Sequence, residues 1–170
     1  MIGIDYDQQW INTDGNHIHR TAIVHPNVKM GKGNWIGAYT VIGGNGEIRG
    51  VDQKEFKGHV VIGDNNVISE HVTIQRPFKE GESTVINNDS IIMAHSHIGH
   101  NAWIGDDCEI CSGVIIGGYA RIGEGVKLKL GATIRNRVIV WPNAIVGMRA
   151  VVTKDVKGFR VVYGNPAKEH

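Results

Sequence analysis

Leucine, elsewhere among the commonest residues, occurs only twice in these 170 residues, as Leu128 and Leu130. Isoleucine and valine carry the apolar content instead, which suits strands and disfavours helices. Basic residues do not cluster either: 18 Lys and Arg stand against 17 Asp and Glu, with no basic run. A nucleic-acid partner therefore has no electrostatic support. No apolar stretch approaches the length that spans a bilayer, so no membrane span is expected. The opening MIGIDYDQQW has no basic segment followed by an apolar one. On that ground no signal peptide is expected, and a cytoplasmic location is the default. Cysteine appears twice, as Cys108 and Cys111, with no second pair to complete a zinc site.

What is present is a count of six. From Ile86 through Ile92, Ile98, Ile104, Ile110, Ile116, Ile122, Leu128, Ile134, Val140 and Val146 to Val152, every sixth residue is aliphatic. Four places after each comes a mostly small residue, such as Ser90, Ser96, Ala102, Cys108 and Ala120. A helix would spread these positions around its axis, and a plain strand repeats every two residues. A short strand and a tight turn, repeated, fit. Such a unit cannot bury its own apolar face, so stacking must create the core. Cys108 falls in an inward slot and Cys111 at a corner, which makes both structural.

The same pattern runs earlier through Ile18, Val24, Met30, Ile36 and Ile42, and resumes at Ile62, Ile68 and Ile74. Residues 44–60 and 77–83 interrupt it and are read as inserted loops, which on a rigid scaffold often carry function. One domain over 1–170 is expected, with 1–16 as an N-terminal cap and 153–170 as a C-terminal tail.

This arrangement resembles the hexapeptide-repeat transferases, whose triangular left-handed helix takes three hexapeptides per coil. The resemblance implies an all-β fold: a single-stranded, left-handed parallel β-helix. In that geometry residues i and i+18 are stacked neighbours, about 4.8 Å apart as adjacent strands are.

Three histidines crowd one segment, His95-Ser96-His97-Ile98-Gly99-His100. Adding eighteen to His100 gives Gly118. A general base would thus lie beside a residue without a side chain, whose backbone N–H can be approached closely. One group deprotonates a nucleophile near neutral pH and the other binds an oxyanion, which is what acyl transfer requires.

The stretch from Ile62 to Arg76, followed by Ile91–His100 with its His97-Ile98-Gly99-His100, resembles the UDP-N-acetylglucosamine O-acyltransferases over roughly residues 17–166. The resemblance implies that His100 is the general base, that His97 binds the acceptor and that Gly118 supplies the oxyanion donor. Candidate acceptor contacts are completed by His95, Gln75, Arg76 and Tyr119, and Lys168 in the closing segment is the candidate donor contact. Arg76 and the loop cations Arg49, Lys54, Lys57 and Lys79 are candidates for a nucleotide pyrophosphate. The chain departs from the family where Tyr119 replaces a histidine, Gln75 replaces another, and Asn101 replaces an acidic residue after the base. The family's C-terminal helical domain, which contributes to binding the acyl carrier protein, has no counterpart in these residues. Expected, therefore, is transfer of a short acyl group from a coenzyme A or carrier-protein thioester to a hydroxyl or amine of a sugar or sugar nucleotide. No permanently bound cofactor or metal is expected. A homotrimer is implied, with sites between subunits reached by the 44–60 loop. Outward residues Ile115, Ile139, Ile145, Val151 and Trp103 call for such a partner surface.

Two other readings stay open. His95 and His100 have the spacing of a zinc-ligand pair in γ-class carbonic anhydrases, although Gln75 stands where the third ligand would fall. A binding or scaffold protein with a worn-out site is the other.

Overall fold

The computed structural model describes residues 9–170. The first eight residues of the expected cap lie outside the described residues. The chain winds as a left-handed parallel β-helix with three faces, each a sheet of short strands stacked along the axis. We name the faces by one core residue. The Ile92 face carries ten strands, the Ile98 face seven and the Ile104 face six. The register is the expected eighteen: His97 pairs with Ile115 and Ile98 with Ile116, as Trp103 pairs with Arg121. Ile36, Ile42, Ile68, Ile92, Ile98, Ile104, Ile110, Ile116 and Ile122 are all completely buried. At about 1.5–3 kcal/mol for each fully buried aliphatic side chain, this column is the main source of stability.

The small-residue row changes character along the axis. Near the N-terminus it is a buried amide ladder. Asn34 N–H donates to Asn16 Oδ1 at 2.8 Å, Asn66 N–H to Asn34 Oδ1 at 2.9 Å, and Ser90 N–H to Asn66 Oδ1 at 3.0 Å. Cys108 N–H then donates to Ser90 Oγ at 2.9 Å. Each buried polar side chain thereby closes a backbone amide of the next coil, which removes the penalty of burying it unpaired. Beyond Cys108 the row turns apolar, with Val126 and Ala144.

Both insertions leave the scaffold at one corner. Val28 pairs with Val60, thirty-two residues on, so the first adds fourteen residues to a coil. Val67 pairs with Ile91, twenty-four on, so the second adds six. Their ends are tighter than the expected bounds, because strand structure covers Val41–Asn45, His59–Ile62 and Ser83–Ile86. The loops pack on each other. The Phe56 and Phe78 rings meet edge-on at 5.5 Å, and Lys57 N–H and Gly58 N–H donate to the Phe78 and Pro77 carbonyls. A Cβ on Gly58 would lie 2.6 Å from Pro77 O, so only glycine permits this approach.

Two expectations need correction. The 153–170 segment is more than a tail: Val156 bridges to Val140, and Val161–Tyr163 adds a strand beside Ile145–Val146 before a closing antiparallel hairpin. Within the expected cap, Trp10–Thr13 pairs antiparallel with Asn16–His19, which is already the first strand of the helix. The outward apolar residues are spread over all three faces. Ile115 and Val151 lie on the Ile98 face, Trp103 and Ile139 on the Ile104 face, and Ile145 on the Ile92 face.

Candidate functional site

Corner residues at the edge between the Ile98 and Ile104 faces repeat every coil, and His100 is one of them. Its strand, His97–Ile98, is fixed by the fully buried Ile98. Gly99 then lets the next coil approach: a Cβ there would lie 2.7 Å from Gly118 N. Gly118 sits directly over the imidazole, since a Cβ built on it would be 2.9 Å from His100 Nε2. The N–H groups on either side of it are engaged, Gly117 with Ile134 O at 2.9 Å and Tyr119 with His100 O at 2.9 Å. The Gly118 N–H donates to no group among the described residues. The equivalent amides of Lys32, Asp64 and Asn88, at another corner, are each closed by a side chain from a later coil.

The other ring nitrogen is held. His100 Nδ1 lies 2.8 Å from Asn101 Oδ1, and Asn101 Nδ2 donates to Glu82 Oε2 at 2.9 Å. Asn101 N–H donates to Thr84 Oγ1 at 2.8 Å, and Thr84 Oγ1 donates to Gln75 O at 2.7 Å. Asn101 and Tyr119 occupy left-handed backbone, with φ of 60° and 62°. Asparagine tolerates that region and tyrosine does so less readily. The Tyr119 ring meets His100 edge-on at 5.2 Å, and the Arg137 guanidinium lies 4.2 Å above the Tyr119 ring centre. That distance is within cation–π reach.

The first inserted loop touches this same histidine. A Cβ on Gly46 would lie 3.0 Å from His100 Cβ, so the loop backbone covers one side of the ring. Arg76 Nε donates to Asn45 Oδ1 at 2.8 Å, and Asn45 Nδ2 donates to Gln53 O at 2.7 Å, tying the base of the loop. The family resemblance implies that this loop reaches a site between subunits. Within one chain it already packs on that chain's own His100. Arg49, Lys54, Lys57 and Lys79 are exposed on the two loops.

His97 begins the strand that leads into this corner and bonds Thr73 Oγ1 through Nδ1 at 2.8 Å. Burial pushes its pKa below the usual histidine value, the Glu47 carboxylate pulls back upward, and His100 adds to the lowering. Gln75 is buried one strand away in the same sheet, with its carbonyl engaged by Thr84. The remaining candidates fall elsewhere. His95 is exposed on the preceding corner, stacked on His71 at 4.9 Å, with Tyr39 stacked beyond at 5.1 Å. Lys168 pairs with Tyr163 in the closing hairpin of the Ile92 face. The zinc arrangement of His95 with His100 is not formed within the chain. Among the described residues no three His, Cys, Asp or Glu side chains gather so as to hold a metal ion. Both cysteines are buried, Cys111 more deeply than its corner position suggested. Burial pushes the Cys108 thiol up to about 11.

Sequence reading overlooked Glu82, Thr84 and Gly46. Glu82 had a signal, because subtracting eighteen from His100 lands on it. Gly46 had none, since the path of an inserted loop follows from no repeat.

The sheets and their register make this chain a hexapeptide-repeat protein of the left-handed β-helix class. Residues 83–118 match the family model for the bacterial transferase hexapeptide, six repeats. The chain is similar to UDP-N-acetylglucosamine O-acyltransferases. That of Gloeothece citriformis is 33% identical over 146 residues, 86% of this chain and 52% of the relative. That of Stutzerimonas stutzeri is 34% identical over 118 residues, 67% of this chain and 46% of the relative. The chain thus spans about half the length of the curated relatives it matches. The solved UDP-N-acetylglucosamine acyltransferase from Campylobacter jejuni superposes with a TM-score of 0.83 at 22% identity, over 92% of this chain and 61% of its own. The Moraxella catarrhalis O-acyltransferase gives 0.74 at 26%, over 90% of this chain and 73% of its own.

Proposed function

We propose that the chain is an acyltransferase that moves a short acyl group from a thioester to a hydroxyl or amine of a sugar nucleotide. The observation that carries this reading is the juxtaposition at one corner of His100 Nε2 and the unengaged Gly118 N–H. His100 Nε2 takes the proton of the acceptor as its oxygen or nitrogen attacks the thioester carbonyl. The Gly118 N–H receives the developing oxyanion. The tetrahedral adduct collapses, the C–S bond breaks, and the imidazolium returns the proton to the departing thiolate. No acyl-enzyme is required, and the buried, protonated Cys108 is unsuited to form one.

His97, with its neutral ring favoured by burial, is assigned to the acceptor hydroxyls, and Gln75 and Arg76, on the neighbouring strand, to further groups of the acceptor. Tyr119, carrying Arg137 on its face, lies edge-on against the His100 ring. Roles for His95 and Lys168 require a ligand that extends beyond this corner. The acceptor class is supported by the names of the relatives, and the donor is assigned as coenzyme A or a carrier protein.

The test is thiol release from acyl thioesters of graded length, on coenzyme A and on carrier protein, with and without nucleotide sugars. Release stimulated by a nucleotide sugar is expected. Thioester hydrolysis indifferent to every acceptor would contradict the proposal.

A further inference from the structure

The polarity of the chain Glu82–Asn101–His100 settles more than the position of the ring. An ionised carboxylate only accepts hydrogen bonds, whereas a carboxamide offers a donor end and an acceptor end. Glu82 Oε2 lies 2.9 Å from the Asn101 amide, so the NH₂ end of that amide must face it. The Oδ1 end is then turned to His100 Nδ1, 2.8 Å away. An oxygen facing Nδ1 requires that Nδ1 carry the proton. The lone pair is left on Nε2, the nitrogen beside Gly118.

We propose that Glu82 is a positioning residue that fixes the tautomer of His100 by fixing which way Asn101 faces. The inference rests on the acyl-transfer reading only for its effect on rate. Without the carboxylate the amide is free to turn over. Its NH₂ would then donate to Nδ1, the ring proton would move to Nε2, and the base would present N–H where it needs a lone pair. Glu82 is well placed for this task. It stands at the end of the second insertion, with its carbonyl accepting from His59 N–H at 3.0 Å and its N–H donating to Lys79 O at 3.3 Å. The Asn101 backbone is separately tied to Thr84, so what Glu82 decides is the orientation of the amide.

Glutamine in place of Glu82 can face Asn101 with either end, and aspartate in place of Asn101 can only accept. The two changes together therefore restore a one-way chain: the introduced glutamine donates, the introduced carboxylate accepts, and Nδ1 keeps its proton. The left-handed backbone at residue 101 admits aspartate as it admits asparagine. The experiment is a long-range ¹H–¹⁵N correlation of the His100 ring in the full chain at alkaline pH. It is made on the wild type, Glu82→Gln and the double variant Glu82→Gln/Asn101→Asp, alongside kcat and KM for thiol release. Expected are Nδ1–H alone in the wild type, a tautomer mixture in Glu82→Gln, and Nδ1–H again in the double variant. kcat should fall by roughly tenfold in the single variant, part of the 10²–10⁴-fold that a general base supplies, and recover in the double one with KM little changed. A wild-type ring protonated at Nε2 would overturn the proposal. So would a Glu82→Gln ring identical to the wild type, or a mixture that Asn101→Asp fails to correct. The tautomer pattern without any acyl transfer by the wild type would uphold the relay and sink the acyl-transfer reading.

Discussion

His97 opens the short strand that leads into the corner held by His100, yet their surroundings prepare them for different work. His97 is pushed toward neutrality mainly by burial and bonded to Thr73 through Nδ1. A histidine whose folded pKa lies below its usual value of 6.5 resists protonation in the native state. The unfolded chain then binds the proton more readily, so the stability contribution is present above pH 6.5 and is lost as the pH falls through the lower folded value. Denaturant midpoints measured from pH 7.5 to pH 5 should therefore decline, and His97→Gln should flatten part of that decline. Equal slopes in the two proteins would show that His97 does not contribute.

Strands and inserted loops were legible in the sequence to different degrees. A coil of the helix repeats one pattern, and its register follows from the count of six, which is why the Ile98–Ile116 pairing and the stacking of His100 on Gly118 could be read in advance. The amide ladder of Asn16, Asn34 and Asn66 was not anticipated, because a polar residue in an inward slot hides the pattern until its bonding partners are known. The inserted loops obey no repeat. Their contact with His100 is decided by Gly46, whose missing side chain allows the approach. His95 stands apart from His100 for a related reason: closeness in sequence does not override the three-faced section, which sends residues five apart to different corners. Gly46→Ala would place a methyl 3.0 Å from His100 Cβ and shift the loop or the ring by a few tenths of an ångström. It should lower kcat by roughly tenfold, as small misplacements of reacting groups do, and leave the thermal midpoint almost unchanged. Unaltered kcat would mean that the loop does not constrain the ring.

The whole molecule presents apolar side chains on all three faces, including Ile115 at 48% exposure, Trp103 at 37% and Trp141 at 51%. Trp103, Ile139, Trp141 and Pro142 line a groove of about 350 Å³ with Arg121 at its side. Exposed apolar surface of this extent calls for cover, and a homotrimer is the proposed arrangement. Light scattering should give a mass near three chains of 18.6 kDa, and a monomer at micromolar concentration would refute it. The fold itself supports many chemistries, so the functional reading stands on one corner of it. His100→Ala, shown to be folded by its circular dichroism and thermal midpoint, should lose about 10²–10⁴-fold in acceptor-dependent thiol release relative to the wild type. A folded His100→Ala protein that retains most of that activity would contradict acyl transfer by His100 beside Gly118.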